Sequence, residues 1–396
     1  MRFISKFKLM VSSKFMMLIL FIIHIITSTL AQDNIFPIYF DTKAKYAYLI
    51  DYDSGEVLFD KNGNTPMPSS SMTKIMTSYI VFDQLQRGVL QLSDKFLVSK
   101  NAAQKGGSKM FVRENQKVSI DDLLKGAIVL SGNDACIVLA EGLYGSESAF
   151  VARMNAEAKR LGLYGTTFKN STGWSDEGHL MTARDLSIVA SELIRRFPEY
   201  YHYHAIKEYS FNKIIQENRN KLIGTGGIDG IKTGKTDIGG YGIVMSAKRD
   251  GRRLISVVNG LTSERERNEE AARLLNYGFK NFKNITLFQN NKEITKGQII
   301  YGSTDEVSLK VKDQVIVTIP YEYEEISDLS LITDLKTSLQ APLKKGDVVG
   351  TLNITTNKEN ILIKKVDLIV GEDVKKSWLL KRMYQSVKYF FKNVFN

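Results

Sequence analysis

The run Ser71-Met72-Thr73-Lys74 places a hydroxyl and a primary amine three positions apart. If a helix starts there, the two groups lie one turn apart on the same face, because residues at this spacing are neighbours on a helix. An unprotonated amine so placed can take the serine proton and let the oxygen attack a carbonyl carbon. The spacing alone proves nothing, since Ser5 to Lys8 and Ser210 to Lys213 repeat it. Context separates the copies. Ser5 lies in a basic and apolar N-terminal segment, and Ser210 in a polar stretch between elements. Ser71 follows Pro66 and Pro68 and begins a strongly apolar helical pattern. The positive end of that helix would favour an oxyanion close by. The plainer alternative is that Ser71 simply caps the helix.

Two further clusters could join it. Ser131-Gly132-Asn133 sits between helical stretches, where a hydroxyl and an amide can project into one cleft, although such a tripeptide alone is ordinarily a turn. Lys232-Thr233-Gly234 follows Gly224, Gly226, Gly227 and Gly230 and precedes a hairpin pattern. A strand edge bearing a cation, a hydroxyl and, at Gly234, no side chain suits the close approach of an extended peptide. Read alone, it is also ordinary strand-end chemistry.

Other chemistries fare worse. A Ser-His-Asp triad would have to use His179, with no recognisable nucleophile elbow. His202-x-His204 has no third ligand nearby and reads as a surface pair rather than a zinc site. The single cysteine, Cys136, excludes an intramolecular disulfide and multi-cysteine metal sites, and its apolar helical surroundings place it in a core. No metal or cofactor is expected.

The elements that must position these groups can be read from periodicity. Tyr46 to Leu58 and Tyr241 to Val258 alternate apolar and polar residues around Asp53-Ser54-Gly55 and Asp250-Gly251, as β-hairpins do. Between them run helical patterns over Met72 to Gln86, Ile120 to Leu130, Asp134 to Leu143, Ser148 to Leu161 and Ala183 to Arg196, and another, Glu264 to Phe282, follows the second hairpin. Strands from both ends around a helical block predict an α/β domain: one sheet covered by helices and built from non-contiguous chain. Past residue 285 the texture becomes short alternating segments, such as Val307 to Ile319 and Asn353 to Ile369, which predict a small all-β module.

The net charge of +11 is concentrated at the ends: residues 1–31 and 374–396 carry ten basic residues and no acid. The nearly neutral body argues against a nucleic-acid groove. The N-terminus, with an apolar stretch from Met16 to Ile26 and small or polar residues up to Ala31, reads as a cleavable secretory signal, the alternative being an uncleaved anchor. In the last segment Leu379, Leu380, Met383, Val387, Phe390, Phe391 and Val394 fall within one helical arc of about 120°, with Lys381, Gln385, Lys388 and Lys392 opposite. This basic amphipathic helix is expected to lie in a membrane interface, with Trp378 near the polar boundary; the alternative is docking on its own domain.

In their order and separation, the three clusters form the set found in penicillin-binding proteins and class A β-lactamases. The sequence resembles the low-molecular-mass penicillin-binding proteins, the D-alanyl-D-alanine carboxypeptidases of the penicillin-binding protein 5 type. Ser-Gly-Asn, in place of Ser-Asp-Asn, is the form those carboxypeptidases carry. The likeness extends through Pro68 to Thr77, Gly173 to Leu186, Gly230 to Gly234 and Arg267 to Phe279 into the β-rich module and terminal helix.

The resemblance implies a β-lactamase/transpeptidase-like domain, an antiparallel sheet flanked by helices, followed by a small all-β domain and an amphipathic helix. The expected divisions are 1–31 for the signal, 32–282 for the peptidase, 283–373 for the β domain and 374–396 for the membrane-associating helix. It implies an exported enzyme, held peripherally on the periplasmic face of the bacterial inner membrane, that removes the terminal D-Ala from peptidoglycan stem peptides through an acyl-enzyme. β-Lactams would be its covalent inhibitors.

The same resemblance assigns Ser71 as nucleophile, Lys74 as its base and Ser131 as the relay to the leaving nitrogen. Asn133 and Lys232 would position the hydroxyls and the substrate, and the backbone N–H groups of Ser71 and Lys235 would form the oxyanion hole. Many relatives carry His at the place of Lys235, so substrate preference or pH dependence is open there. Thr233 and Arg267 would take the substrate carboxylate, with Arg265 as rival for the arginine. Lys74 must lose its proton, which burial and the nearby Lys232 cation would promote; a shift of about 3 units costs roughly 4 kcal/mol. Glu177 occupies the region where a class A β-lactamase keeps its deacylating glutamate, but its surroundings match the carboxypeptidases, so slow release of penicillin is expected. Two alternatives remain from sequence: a D,D-endopeptidase that cuts cross-links, and a membrane-bound penicillin-binding protein without hydrolysis. Oligomeric state is not legible.

Overall fold

A computed structural model describes residues 38–323, 326–335, 339–357 and 360–395, with side chains to residue 387 in the last segment. The signal expected over residues 1–31 lies outside them, as does the side-chain placement of Phe390, Phe391 and Val394. In chain order the first part contains strands β1 (Tyr46–Asp51) and β2 (Val57–Lys61), helix α1 (Lys74–Gln86), β3 (Lys95–Leu97), α2 (Lys100–Gln104) and β4 (Lys117–Ser119). Helices α3 (Ile120–Ile128), α4 (Asn133–Tyr144), α5 (Glu147–Arg160) and α6 (Ala183–Arg196) follow. Then come β5 (Glu208–Phe211), β6 (Ile214–Glu217), β7 (Ile228–Thr236), β8 (Gly240–Arg249), β9 (Arg252–Leu261) and α7 (Glu264–Asn281).

The main sheet is antiparallel with strand order β2-β1-β9-β8-β7, so chain from both ends of the domain meets at β1 and β9. Successive strand residues face opposite sides. In β9, Ile255 and Val257 join the core shared with α1 and α3–α6, whereas Leu254 and Val258 join Ala271, Leu274 and Leu275 of α7 on the other face. Helix α1 is buried over nearly its whole length: Ile75, Met76, Tyr79, Ile80, Val81 and Phe82 are all inaccessible to solvent. A helix that is apolar on every side belongs in the middle of a domain, so α1 forms a rigid base under Ser71.

Helix ends are set by local chemistry. Thr182 Oγ1 accepts from Asp185 N at 2.9 Å to start α6, and Ser263 Oγ accepts from Glu266 N at 3.1 Å to start α7. Helix α1 has no such cap. A tight 3-10 turn, Ser70–Thr73, leads into it, and Ser71 makes no capping bond, which removes the plain-cap alternative. Ser210 differs from expectation: it lies on β5, in a small hairpin with β6, not in an irregular stretch.

Helix α7 runs directly into β10 (Phe282–Phe288), the first strand of the β module. There follow β11 (Glu293–Ile300), β12 (Glu306–Val311), β13 (Val315–Pro320), β14 (Leu329–Leu335), β15 (Leu339–Gln340), β16 (Val348–Thr356) and β17 (Leu362–Val370). Strand β10 pairs with β13, and the others form a sheet in the order β14-β16-β17-β12-β11-β15. A polar seam ties the module to the first domain. Lys364 Nζ donates to Glu56 Oε1 (3.0 Å), to Ile316 O (3.0 Å) and to the Ser54 carbonyl, and Ser54 Oγ lies 2.6 Å from Thr318 Oγ1.

Helix α8 (Leu379–Phe395) ends the chain. Its polar face touches the β module, with Gln385 Oε1 accepting from Tyr301 N at 2.9 Å and Lys381 3.0 Å from Asp305. Leu379, Leu380, Met383 and Val387 on the other face are more than half exposed, as is Trp378. Among the described residues, no single helix is long and apolar enough to cross a membrane.

Candidate active site

Three segments distant in sequence converge on one cleft of about 480 Å³. Ser71 enters from the turn before α1, Ser131 and Asn133 from the junction of α3 and α4, and Thr233, Gly234 and Lys235 from β7, which is an edge strand of the sheet. The sequence-predicted clusters are thus brought together.

Lys74 is 1 % exposed, and its Nζ lies 2.9 Å from Ser71 Oγ, 2.8 Å from Asn133 Oδ1 and 2.7 Å from Thr172 O. Burial pulls its pKa from 10.5 down to about 8, with Asp134 among the groups opposing the shift. Of the two expected causes, burial is the one that dominates at Lys74; Lys232 is itself held well below 10.5 by burial and then by the Lys74 charge. With two N–H bonds directed at Asn133 Oδ1 and Thr172 O, the neutral Lys74 amine keeps one lone pair for the Ser71 hydroxyl.

Lys232 Nζ donates to Ser131 Oγ at 2.9 Å and to Thr233 O at 3.2 Å. Ser131 adopts a left-handed backbone with φ +59°, which a non-glycine residue rarely does. The following residues hold it there: Asn133 Nδ2 donates to Gly106 O at 2.9 Å, and the buried Asp134 carboxylate gathers the backbone N–H groups of Met110, Phe111 and Val112. Gly234 is required by space. A Cβ there would stand 2.9 Å from Ser70 Cβ and 3.1 Å from Ser69 O, so any side chain would push β7 off the nucleophile turn.

Arg267 projects from α7 into the same cleft. It is 2 % exposed and donates to Arg219 O and Asn268 Oδ1, both at 3.1 Å, and no carboxylate pairs with it among the described residues. Arg265, its rival, is 88 % exposed and paired with Glu269. Lys235 is exposed, with its amine 5.3 Å from the centre of the Tyr241 ring.

The remaining candidates lie elsewhere. His179 is buried behind the nucleophile turn: its Nδ1 accepts from Lys169 N at 3.1 Å, so Nε2 carries the proton toward Thr73 Oγ1 at 2.8 Å. Burial pulls its pKa from 6.5 to about 4. His204, expected at the surface, is fully buried; its Nδ1 lies 3.2 Å from Ile231 O and its ring stacks on Tyr201, because the turn that carries it packs under β7. No cluster of metal-ligating residues exists among the described residues. Glu177 is exposed and does not line the cleft, and Cys136 is buried with its pKa raised by burial to about 11. Sequence reasoning missed Arg219 and Trp174, which also line the cleft. Both sit in loops whose polar and glycine-rich composition signals a turn but no direction.

Comparison with known proteins identifies the family. Residues 30–263 match the peptidase S11 family, described as D-alanyl-D-alanine carboxypeptidase, and residues 282–376 match the C-terminal domain of penicillin-binding protein 5. D-alanyl-D-alanine carboxypeptidase DacC of Escherichia coli is 39 % identical over 352 residues, 87 % of either chain. DacF of Bacillus subtilis is 34 % identical over 347 residues, covering 85 % of this chain and 87 % of its own. The crystal structure of penicillin binding protein 5 from Haemophilus influenzae superposes with a TM-score of 0.81 at 36 % identity, covering 86 % of this chain and 99 % of that one. Penicillin-binding protein D2 from Listeria monocytogenes, in its cefotaxime-bound form, aligns with a TM-score of 0.57 at 29 % identity over 61 % of this chain and 100 % of its own. The chain therefore belongs to the S11 family of serine peptidases and is a penicillin-binding D-alanyl-D-alanine carboxypeptidase by family.

Proposed function

We propose that Ser71 attacks the carbonyl carbon of the penultimate D-Ala of a peptidoglycan stem and that Lys74 removes its proton. The buried amine 2.9 Å from Ser71 Oγ is the observation that carries this reading, and its burial favours the neutral form that a base needs. The oxyanion accepts from the backbone N–H groups of Ser71 and Lys235, and the N-terminal end of α1, which follows Ser71, adds a favourable field. As the C–N bond breaks, the proton held by Lys74 passes through Ser131 to the departing D-Ala nitrogen, while Lys232 holds the Ser131 oxygen in place. The acyl group stays on Ser71 as an ester. Water, deprotonated by Lys74, then hydrolyses that ester and regenerates the hydroxyl.

Arg267 and Thr233 take the terminal carboxylate of the substrate. An unpaired buried guanidinium beside a hydroxyl is the donor set that such a group requires. Asn133 fixes Lys74, and Gly234 admits the extended peptide along the β7 edge. β-Lactams acylate Ser71 by the same route, in keeping with the cefotaxime complex of the Listeria relative.

The enzyme acts outside the cytoplasm, after removal of residues 1–31, with residues 32–282 as the peptidase, 283–373 as the β domain and 374–396 resting on the periplasmic face of the inner membrane. An apolar face left open while the polar face grips its own domain supports that last assignment.

Incubating the protein with a pentapeptide stem and with a cross-linked dimer, and weighing the products, tests the substrate. Loss of one D-Ala from the pentapeptide, absent in Ser71→Ala, is expected. Cleavage of the dimer alone would mean an endopeptidase.

A further inference from the structure

The carbonyl of Thr172 that receives Lys74 belongs to a loop with an unusual internal bracket. Asn170, 8 % exposed, collects four donors on its Oδ1: the backbone N–H of Thr172 at 3.2 Å, of Gly173 at 2.8 Å and of Trp174 at 3.0 Å, and the Thr172 hydroxyl at 3.0 Å. Its Nδ2 closes the ring by donating to Trp174 O at 3.0 Å. We propose that Asn170 is a positioning residue for Lys74, folding residues 170–174 into a turn that aims the Thr172 carbonyl at the lysine amine.

The rest of the loop shows why this side chain matters. Ser171 is held from outside, by Glu147 Oε1 on its N–H (2.9 Å) and hydroxyl (2.6 Å) and by Thr77 on its carbonyl (2.6 Å). Residues 172–174 are held mainly by Asn170, with Trp174 N also donating to Thr172 Oγ1 at 3.1 Å and Lys105 Nζ 5.5 Å from the centre of the Trp174 ring. Gly173 follows with φ +77°, and a Cβ there would lie 1.8 Å from Ser70 O, so the turn also rests on the residue before the nucleophile. Asn170 has no bond to Lys74 itself. It acts through one backbone oxygen.

That oxygen decides where the amine lone pair points. A neutral amine has two N–H groups and one lone pair. With Asn133 Oδ1 and Thr172 O occupying the two N–H groups, the lone pair is left for Ser71. Without the Thr172 carbonyl the amine can rotate, and the ammonium form loses an acceptor that favours it. The other charged or titratable groups facing Lys74 are Asp134 and Cys136 from α4, Lys232 from β7 and His179 from the loop before α6, and the substitutions below leave all of them in place.

The inference rests on Lys74 being the base. The test is the pH profile of Ser71 acylation by a fluorescent penicillin in the full chain, with active-site titration correcting for inactive protein. Asn170→Ala is expected to slow acylation on the order of 10²-fold at the plateau and to move the acid limb to lower pH. Asn170→Asp keeps the accepting oxygen, so it should restore most of the rate, and its added negative charge should move the limb to higher pH. If the Ala variant does not fold, the Asp variant alone decides: an unmoved limb overturns the inference. So does an Asn170→Ala rate within about twofold of the parent, or a slower rate with an unshifted limb. Lys74→Ala separates the two readings. If it acylates normally, the base assignment falls and the inference with it; if it is inactive while Asn170→Ala behaves as the parent, only the inference falls.

Discussion

Lys232 Nζ stands 2.9 Å from Ser131 Oγ, the same distance that separates Lys74 Nζ from Ser71 Oγ. Each of these two serine hydroxyls has its own buried lysine, and the two lysines repel one another. Burial and repulsion together make it costly to hold both as cations, so one of them is driven toward the neutral amine that proton abstraction needs. Both amines are held low, Lys74 at about 8 and Lys232 well below 10.5, and Lys74 is the one within reach of Ser71 Oγ.

Acylation should therefore rise with pH. Below about 8, the fraction of neutral Lys74 falls about tenfold per unit, and the second-order rate constant for β-lactam acylation should follow it. A stopped-flow profile from about pH 6 to about pH 10 measures this. A profile flat across that window would show that no lysine deprotonation gates the reaction.

Arg267 should discriminate by the substrate terminus. Arg267→Ala removes a charge-assisted contact worth about 1.5–3 kcal/mol, so kcat/KM for a peptide ending in a free carboxylate should fall about 10- to 100-fold. The C-terminal amide of the same peptide should be turned over equally poorly by both proteins. Kinetics on the matched pair check this, and an equal loss on both peptides would assign Arg267 to the scaffold.

Two buried histidines should make the fold acid-sensitive. His179 and His204 both have pKa values depressed by burial from 6.5 to about 4. The unfolded chain therefore binds protons first, and the stability from each neutral ring is complete above about 6.5 and lost as pH falls toward 4. At most about 3 kcal/mol per ring is at stake. Urea unfolding at several pH values should show the decline, with a shallower slope in His179→Gln, whose amide has no pKa in this range.

The seam between the domains should behave as a buried ion pair. Lys364→Met leaves the Glu56 carboxylate, whose side chain is 7 % exposed, without its cation, and should cost about 2–3 kcal/mol. This lies at or below the bottom of the range of about 3–5 kcal/mol for a fully buried pair, because 25 % of the Lys364 side chain remains in solvent. Adding Glu56→Gln should recover most of the loss in melting temperature. Failure of the second substitution to recover it would mean that the backbone bonds of Lys364 to Ser54 and Ile316, rather than the charge pair, hold the seam.

Particular residues show what a sequence can and cannot carry. The helix from Lys74 to Gln86, both hairpins and the three clusters were legible because periodicity, turn residues and the order of short motifs are local properties. The edge position of β7 also followed from its glycines and its place before a hairpin. His204 was misplaced at the surface because burial depends on which turn packs beneath which strand, and His202 two residues away is indeed exposed. Burial was legible as a cause of the Lys74 shift, because the lysine begins a strongly apolar helix, but its weight against the Lys232 charge was not, since that depends on the packing around both amines. Asn170 and Arg219 left no signal, since an asparagine that brackets a loop and one that is solvated look alike in a string of letters.

Trapping the acyl-enzyme tests the central assignment most directly. After incubation with benzylpenicillin, rapid quench and proteolysis, tandem mass spectrometry locates the adduct. The geometry places it on the peptide containing Ser71, at Ser71 itself, with none formed in Ser71→Ala. An adduct on Ser131, or one that persists in Ser71→Ala, would contradict the account.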